Sequence, residues 1–595
     1  MCRIRLLIMK YNLITKLLAG MAIVAVPLGL SAQTDENTEL QKTIQVYSEY
    51  KPQISDASRI SVNPQVYDTL DLEVNLKYDI STSPLKTDYH IIPLKAVSVK
   101  GDKLQELYRG EVVAGLGNYW SNLFALRFMT ERSRIRQSGV EFYHFGSYGK
   151  VKMRQDRKLP AGYSVDYFSA YWKRFFEKMT VYASVKPQYR SVLRYGYDTA
   201  ADQYLALTDD VKKSIRRPLI GFNANGGLAS TDSDVDALRY SADFNYDLTF
   251  AMNPNCVENL FDLSGSVGRK MGDVFFGAEA DYEASILNFE PTDSVMGTFQ
   301  SVLRAKPYVR VGSGYWNLQA GVNLSPLLGE INSFKIFPDL RFTYSIPKLK
   351  MIPFVNIYGS ADLVSMKEMF LENPYVADSV MIRPTINKIG FDFGVDGRLK
   401  KLVTYNVALT FRAYDDMYFW YANSCPNYAN SATPPAQNSL SLDEIHTTYK
   451  TVYDDANLLK LHGDVGFLFR KLNFEIEMND YHWMLDKLNY PWFKPIFDLK
   501  FSPEISVVNN KSNKTKLTLA PNLSFMLYQS QGHGDIGMLY NVNLGFHAKY
   551  TYTSALQIFL DVNNFLGMEE FFMDYCTQQA PFLIGLSYSF GGHKE

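Results

Sequence analysis

Large apolar residues alternate with small or polar ones along many short segments of this chain, and no other feature restricts its fold so tightly. From Phe582 to Phe590, the residues Phe582, Ile584, Leu586, Tyr588 and Phe590 share one face, with Leu583, Gly585, Ser587 and Ser589 on the other. A strand of that kind needs an apolar medium on one side and a polar one on the other. In 238–249, Leu238, Tyr240, Ala242, Phe244, Tyr246 and Leu248 oppose Arg239, Ser241, Asp243, Asn245, Asp247 and Thr249. The pattern returns in 389–396, 403–412, 472–479 and 556–563, where Asp392, Asp396, Arg412, Glu475, Glu477 and Asp561 take the polar face. Counting every such segment predicts an all-β chain of about 22 strands over 106–590.

A soluble sandwich also alternates, so the connections carry the decision. Short turns at Phe176-Glu177-Lys178, Arg269-Lys270-Met271, Lys348-Leu349-Lys350, Leu399-Lys400-Lys401 and Arg470-Lys471 alternate with long loops near 146–162, 192–216, 364–385, 415–447 and 564–581. Tight turns at one end and extended loops at the other are the rule for a transmembrane antiparallel β-barrel of the outer membrane, whose two ends face different compartments. Composition agrees. The chain is 46% hydrophobic and 14% aromatic, with 41 Tyr and 38 Phe, yet its mean hydropathy is only −0.17. Aromatic girdles around a polar lumen give that combination. Beyond the leader there is no run of about eighteen or more apolar residues, so helical spans are excluded.

The N-terminus reads as an export leader. Lys10 and Lys16 precede an apolar run, Leu17 to Leu30, and Ser31-Ala32-Gln33 supplies a small-residue cleavage site, which sets a signal peptide over 1–32. No cysteine follows that site, which argues against a lipoprotein. Residues 33–105 carry Pro52, Pro64, Pro84 and Pro93 between short extended pieces, and read as a short N-terminal segment, periplasmic or lumenal. The barrel then occupies 106–590 and a tail 591–595. Three cysteines remain in the exported chain, Cys256, Cys425 and Cys576, an odd number that is no disulfide framework, although one pair could bridge. A formal net charge of −1 argues against a nucleic-acid partner.

The ending LQIFLDVNNFLG (556–567) followed by PFLIGLSYSF (581–590) resembles the final hairpin of the TonB-dependent-receptor family of outer-membrane barrels. VYSEYKPQISDASRI (46–60) and YRGEVVAGLGNYW (108–120) resemble the opening of receptor-like barrels of the Bacteroidota that lack a full plug domain. The resemblance implies a TonB box near the mature N-terminus, for which Thr43, Ile44, Gln45 and Val46 are the candidates, and hence a TonB-type partner. The family's plug needs more chain than the about seventy residues that precede the barrel here. The resemblance also makes Phe590 the expected recognition mark for the outer-membrane assembly machinery.

Tyr418, Phe419, Trp420 and Tyr421 fall in the longest predicted loop, where they either grip sugars, peptides or a partner protein, a surface lipoprotein being one candidate partner of the barrel, or pack the loop over its own barrel mouth. Catalytic and cofactor chemistry is not indicated. The eight histidines lack metal-site spacing, Asp480-Tyr481-His482 reads as strand-end polarity rather than a protease centre, and no Gly-x-Ser-x-Gly elbow occurs. The expectation is a non-enzymatic barrel in outer-membrane lipid that acts in transport or as a channel. The alternative is a non-conducting barrel that scaffolds an envelope complex.

Overall fold

The computed structural model describes residues 108–592 except 131–132, 153–157, 196–212, 214, 233, 235, 253–254, 290–295, 378–379, 424–447, 511–514, 531–536, 569–570 and 574. The signal peptide, the segment 33–105 with Thr43–Val46, and Cys425 lie outside the described residues.

Twenty-two antiparallel strands form one sheet that closes on itself. The first, Gly110–Gly117, pairs with Asn122–Met129 on one side and with the last, Phe582–Phe590, on the other, from Gly110 opposite Phe590 to Gly117 opposite Leu583. Closure removes both sheet edges, the condition under which a sheet can stand in hydrocarbon with its backbone satisfied. The faces follow the alternation. Ile584 and Leu586 are about half exposed on the outside, at 53% and 52%, whereas Ser587 is 6% exposed and donates to Glu111 (2.6 Å) within the lumen. Glu111 also meets Arg127 (2.9 Å), whose Nε reaches Glu141 (2.8 Å), so the closing seam is laced on its polar side. Arg304, between Asp281 and Glu283 at 2.8 Å each, makes a second knot on the lumen wall.

The seam fixes one glycine. Gly585 lies opposite Phe559 on the lumen face, and a Cβ there would collide with the Phe559 ring and stand 2.6 Å from the Ala114 carbonyl oxygen. Overpacking of this kind costs about 1–3 kcal/mol. Gly585→Val is therefore expected to lower the yield of folded barrel, read as heat-modifiable migration on a denaturing gel; a wild-type yield would mean that the seam tolerates the bulk.

The connections correct the sequence reading in three places. The turn expected at Arg269-Lys270-Met271 is Gly272-Asp273, because strands Cys256–Met271 and Val274–Phe289 run further and Gly272 supplies the positive φ (64°) of a two-residue hairpin. The alternation of short and long is not strict either, since 118–121 and 330–332 are short connections at the long-loop end. Finally, Tyr418, Phe419, Trp420 and Tyr421 are not in a loop. They continue the strand Val403–Asn423, beyond a register shift between Tyr414 and Met417 where Asp416 takes φ 53°. Phe419 and Trp420 are fully buried, so the pattern that marks a lipid-facing strand disappears there.

Candidate functional site

The long-loop end is where the chain folds inward. The strand Met351–Asp362 parts from one neighbour before its end: it pairs with Ser333–Tyr344 only from Asp339 to Thr343, while Ser360, Ala361 and Asp362 stay paired with Asn387, Ile386 and Thr385 on the other side. The Gly359 carbonyl instead accepts from lumen-facing Asn323 (2.9 Å), and that of Ala361 from Arg304 (3.0 Å). In the connection 363–384 that follows, the described residues 363–377 and 380–384 meet inward side chains of the wall such as Glu258, Gln300 and Tyr453.

Its local structure is written in Ser365-Met366-Lys367-Glu368. Ser365 caps the helix Met366–Glu372 by accepting from the Glu368 N–H (3.1 Å), and the Glu368 carboxylate accepts from the Ser365 N–H (3.2 Å), a capping box. Met366, Met369 and Phe370 form its buried stripe, at the spacing of one helical face. Seven residues are too few to be helical alone, so both ends are tied to the wall. At the N-terminal end the carboxylate of Glu258, 2% exposed, accepts from the N–H groups of Met366 and Lys367 (3.0 Å each) and from Ser285 Oγ (3.0 Å). An anion suits that end because the unpaired N–H groups and the dipole both favour it. Lys367 pairs with Asp247.

At the other end Glu372 accepts from Lys494 Nζ (2.8 Å), Trp420 Nε1 (2.9 Å) and the Tyr418 hydroxyl. The strand Val403–Asn423 that carries Trp420 is the seventh after the strand of Glu258 around a 22-strand wall, so the segment spans a chord of the barrel. Burial pushes Glu372 up, but the charge of Lys494 and the three hydrogen bonds outweigh it and hold the carboxyl below its ordinary range. Lys494 is the deeper of the two, with 10% of its side chain exposed against 34%, and burial wins over its partner and lowers it.

Tyrosines complete the structure. Arg217 donates to the carbonyls of Val376 and Pro374 and stacks on Phe370 at 4.4 Å. Ala377 and Tyr375 exchange backbone hydrogen bonds with Tyr449 (2.7 and 3.1 Å). Tyr375 stacks on Tyr575 from the last long loop at 3.7 Å, and Tyr195, which donates to the Cys576 carbonyl (2.7 Å), meets both rings edge-on. Burial pushes the Tyr195 and Tyr375 hydroxyls above their ordinary range. Cys256 and Cys576 are buried in this same apolar cluster.

Beside the crossing segment is a cavity of about 450 Å³. Strand residues Tyr163, Val165, Arg190, Val192, Arg217 and Leu219 form one wall, Phe370, Leu371, Pro374 and Tyr375 a second, and Asn563, Asn564, Thr577 and Gln578 a third.

The four aromatic residues at 418–421 sit in different surroundings. Tyr418 and Trp420 clamp Glu372, Phe419 packs edge-on against Trp483 at 5.7 Å, and Tyr421 is exposed. Strand alternation sets Tyr481 on the face opposite Asp480 and His482, and no group of metal-binding side chains occurs among the described residues. Phe590 ends its strand over Gly110, and its carbonyl accepts from Arg109 (3.0 Å). Sequence reasoning missed Arg190, Arg217, Glu258, Glu372 and Lys494, for which no motif exists; the capping box from Ser365 to Glu368 was a signal it could have used.

No family model matches this sequence, and no curated protein does. Solved structures match in fold. The FrpB iron transporter from Neisseria meningitidis (F5-1 variant, apoprotein form) superposes with a TM-score of 0.60 at 8% identity over 82% of each chain. The copper transporter OprC gives 0.58 at 8% identity, over 82% of this chain and 80% of that one. The siderophore receptor PirA from Acinetobacter baumannii gives 0.58 at 9%, over 82% and 81%. This chain is an outer-membrane β-barrel. The likeness is one of fold, a closed barrel whose 22 strands here match the number counted from the alternating segments.

Proposed function

We propose that the chain is a TonB-dependent-receptor-like transport barrel in which the segment 363–384 gates passage. One observation carries the reading: a folded, doubly anchored segment spans the lumen at the long-loop end, above a wall lined with charged and polar groups such as Arg304, Asp281, Arg127 and Glu111. A polar lumen beneath a constriction built from the barrel's own chain is the arrangement of a regulated conduit. Iron, copper and siderophores, named for the neighbours, are the first solutes to assay. Thr43–Val46 is the proposed contact for a TonB-type protein, and Phe590 the proposed mark for the assembly machinery.

Planar-bilayer conductance of the full chain tests the gate. The wild type is expected to conduct little, and a variant with 366–377 replaced by a short Gly-Ser linker at least tenfold more. Equal, negligible conductance in both, with no solute uptake, would favour the scaffold instead. Uptake that survives proline and glycine at Thr43–Val46 would remove the TonB-type partner.

A further inference from the structure

We propose that the cavity beside the crossing segment binds an amphiphilic anion: an apolar body with a single oxyanion head, whether carboxylate, sulfonate or phosphate. Two guanidinium groups, Arg190 and Arg217, line it, and no carboxylate does among the described residues. Their situations differ. Arg217 is engaged with Val376, Pro374 and the Phe370 ring, and so fastens the segment. Arg190 points inward from the strand Met179–Leu193, opposite Val165 and Leu219, and its Nε is buried with no hydrogen-bond partner among the described residues.

The Arg190 Nε, orphaned in a cavity lined by Val165, Val192, Leu219 and Phe370, gains a partner when an anion arrives, and planar guanidinium groups suit oxyanions. Of the other polar side chains in the lining, Gln578 is held by Ser147 and Asn564 by Met568, so the head falls to the guanidinium groups, while the largely apolar walls take the body. The volume is in the range of small-molecule sites. Because the crossing segment supplies Phe370, Leu371, Pro374 and Tyr375 to the walls, ligand and gate share a surface, and occupancy is coupled to the position of the segment. The inference deepens the transport reading by giving the cargo a chemical class, and rests on that reading only for the word cargo.

The test is calorimetric titration of the full chain in amphipol with naphthalene-2-sulfonate and with its neutral counterpart, naphthalene-2-sulfonamide. The sulfonate is expected to bind saturably, one per chain, and at least tenfold more tightly than the sulfonamide. Arg190→Gln should weaken the sulfonate at least tenfold and leave the sulfonamide unchanged, and Arg190→Lys should recover most of the loss. Equal binding of the two probes to wild type, or an unaffected Arg190→Gln, overturns the proposal. The ratio of the two probes on wild type decides alone if the variant does not fold. Saturable binding without conductance or uptake would sink the transport reading and leave the site standing.

Discussion

Glu372→Gln is expected to free the segment 363–384 from the wall while leaving the barrel intact. The substitution strands Lys494, a buried ammonium that otherwise touches the Glu372 carboxylate at 2.8 Å and the Tyr418 ring at 4.0 Å. Removing one partner of a buried pair costs about 3–5 kcal/mol, because the remaining charge stays out of water. Lys494→Met should cost less: it leaves Glu372 the more exposed member, still holding Tyr418 and Trp420. The double variant should resemble Lys494→Met, or surpass it. Hydrogen exchange of 366–377 reads this directly, since the wall strands keep their own ladders and protection there should not change. Uniform loss of protection over wall and segment would show that the pair stabilises the whole barrel instead.

The same contact sets a pH dependence. Glu372 has a folded value below its unfolded one, so its contribution is complete above the unfolded value and is lost as pH falls through the folded value. Protection of 366–377 should therefore be flat around neutrality and decline on the acid side, below the ordinary carboxylate range. In Glu372→Gln the acid decline should be absent.

How much of this was legible follows from what imposes each pattern. Lipid imposes the outward face, so Phe582–Phe590 and 238–249 announced their strands and the count of twenty-two was reached from sequence. Above the membrane nothing enforces period two. Phe419 and Trp420 are adjacent aromatics because both faces of their strand are packed there, and in sequence they and their neighbours Tyr418 and Tyr421 were indistinguishable from an aromatic loop. A lumen-facing arginine looks like any other polar residue in alternation, so nothing separated Arg190 from Arg412, although one faces a cavity and the other bonds Tyr358 and Tyr414. Glu372 and Lys494 lie 122 residues apart, and only the inward fold of the segment brings them together.

Glu258→Ala attacks the opposite anchor, and its effect should be of the same order by a different route. Here the loss is of an acceptor: the N–H groups of Met366 and Lys367 and the hydroxyl of Ser285 all lose their partner in a site sealed from water. Each buried donor left unsatisfied costs about 1–3 kcal/mol, so the sum is on the order of 3 kcal/mol or more. Glu258→Gln should be milder, since its amide oxygen can still accept, although its NH2 opposes one of the helix N–H groups. A seven-residue helix cannot survive on one tether, so release at Glu258 should also expose Glu372 and Trp420 at the far end. That makes cooperativity the decisive measurement. If the segment is one unit, Glu258→Ala and Glu372→Gln each abolish protection of 366–377, and the double variant adds nothing in exchange or in conductance. Losses confined to the mutated end, and additive when combined, would mean two independent contacts rather than a gate that opens as a whole.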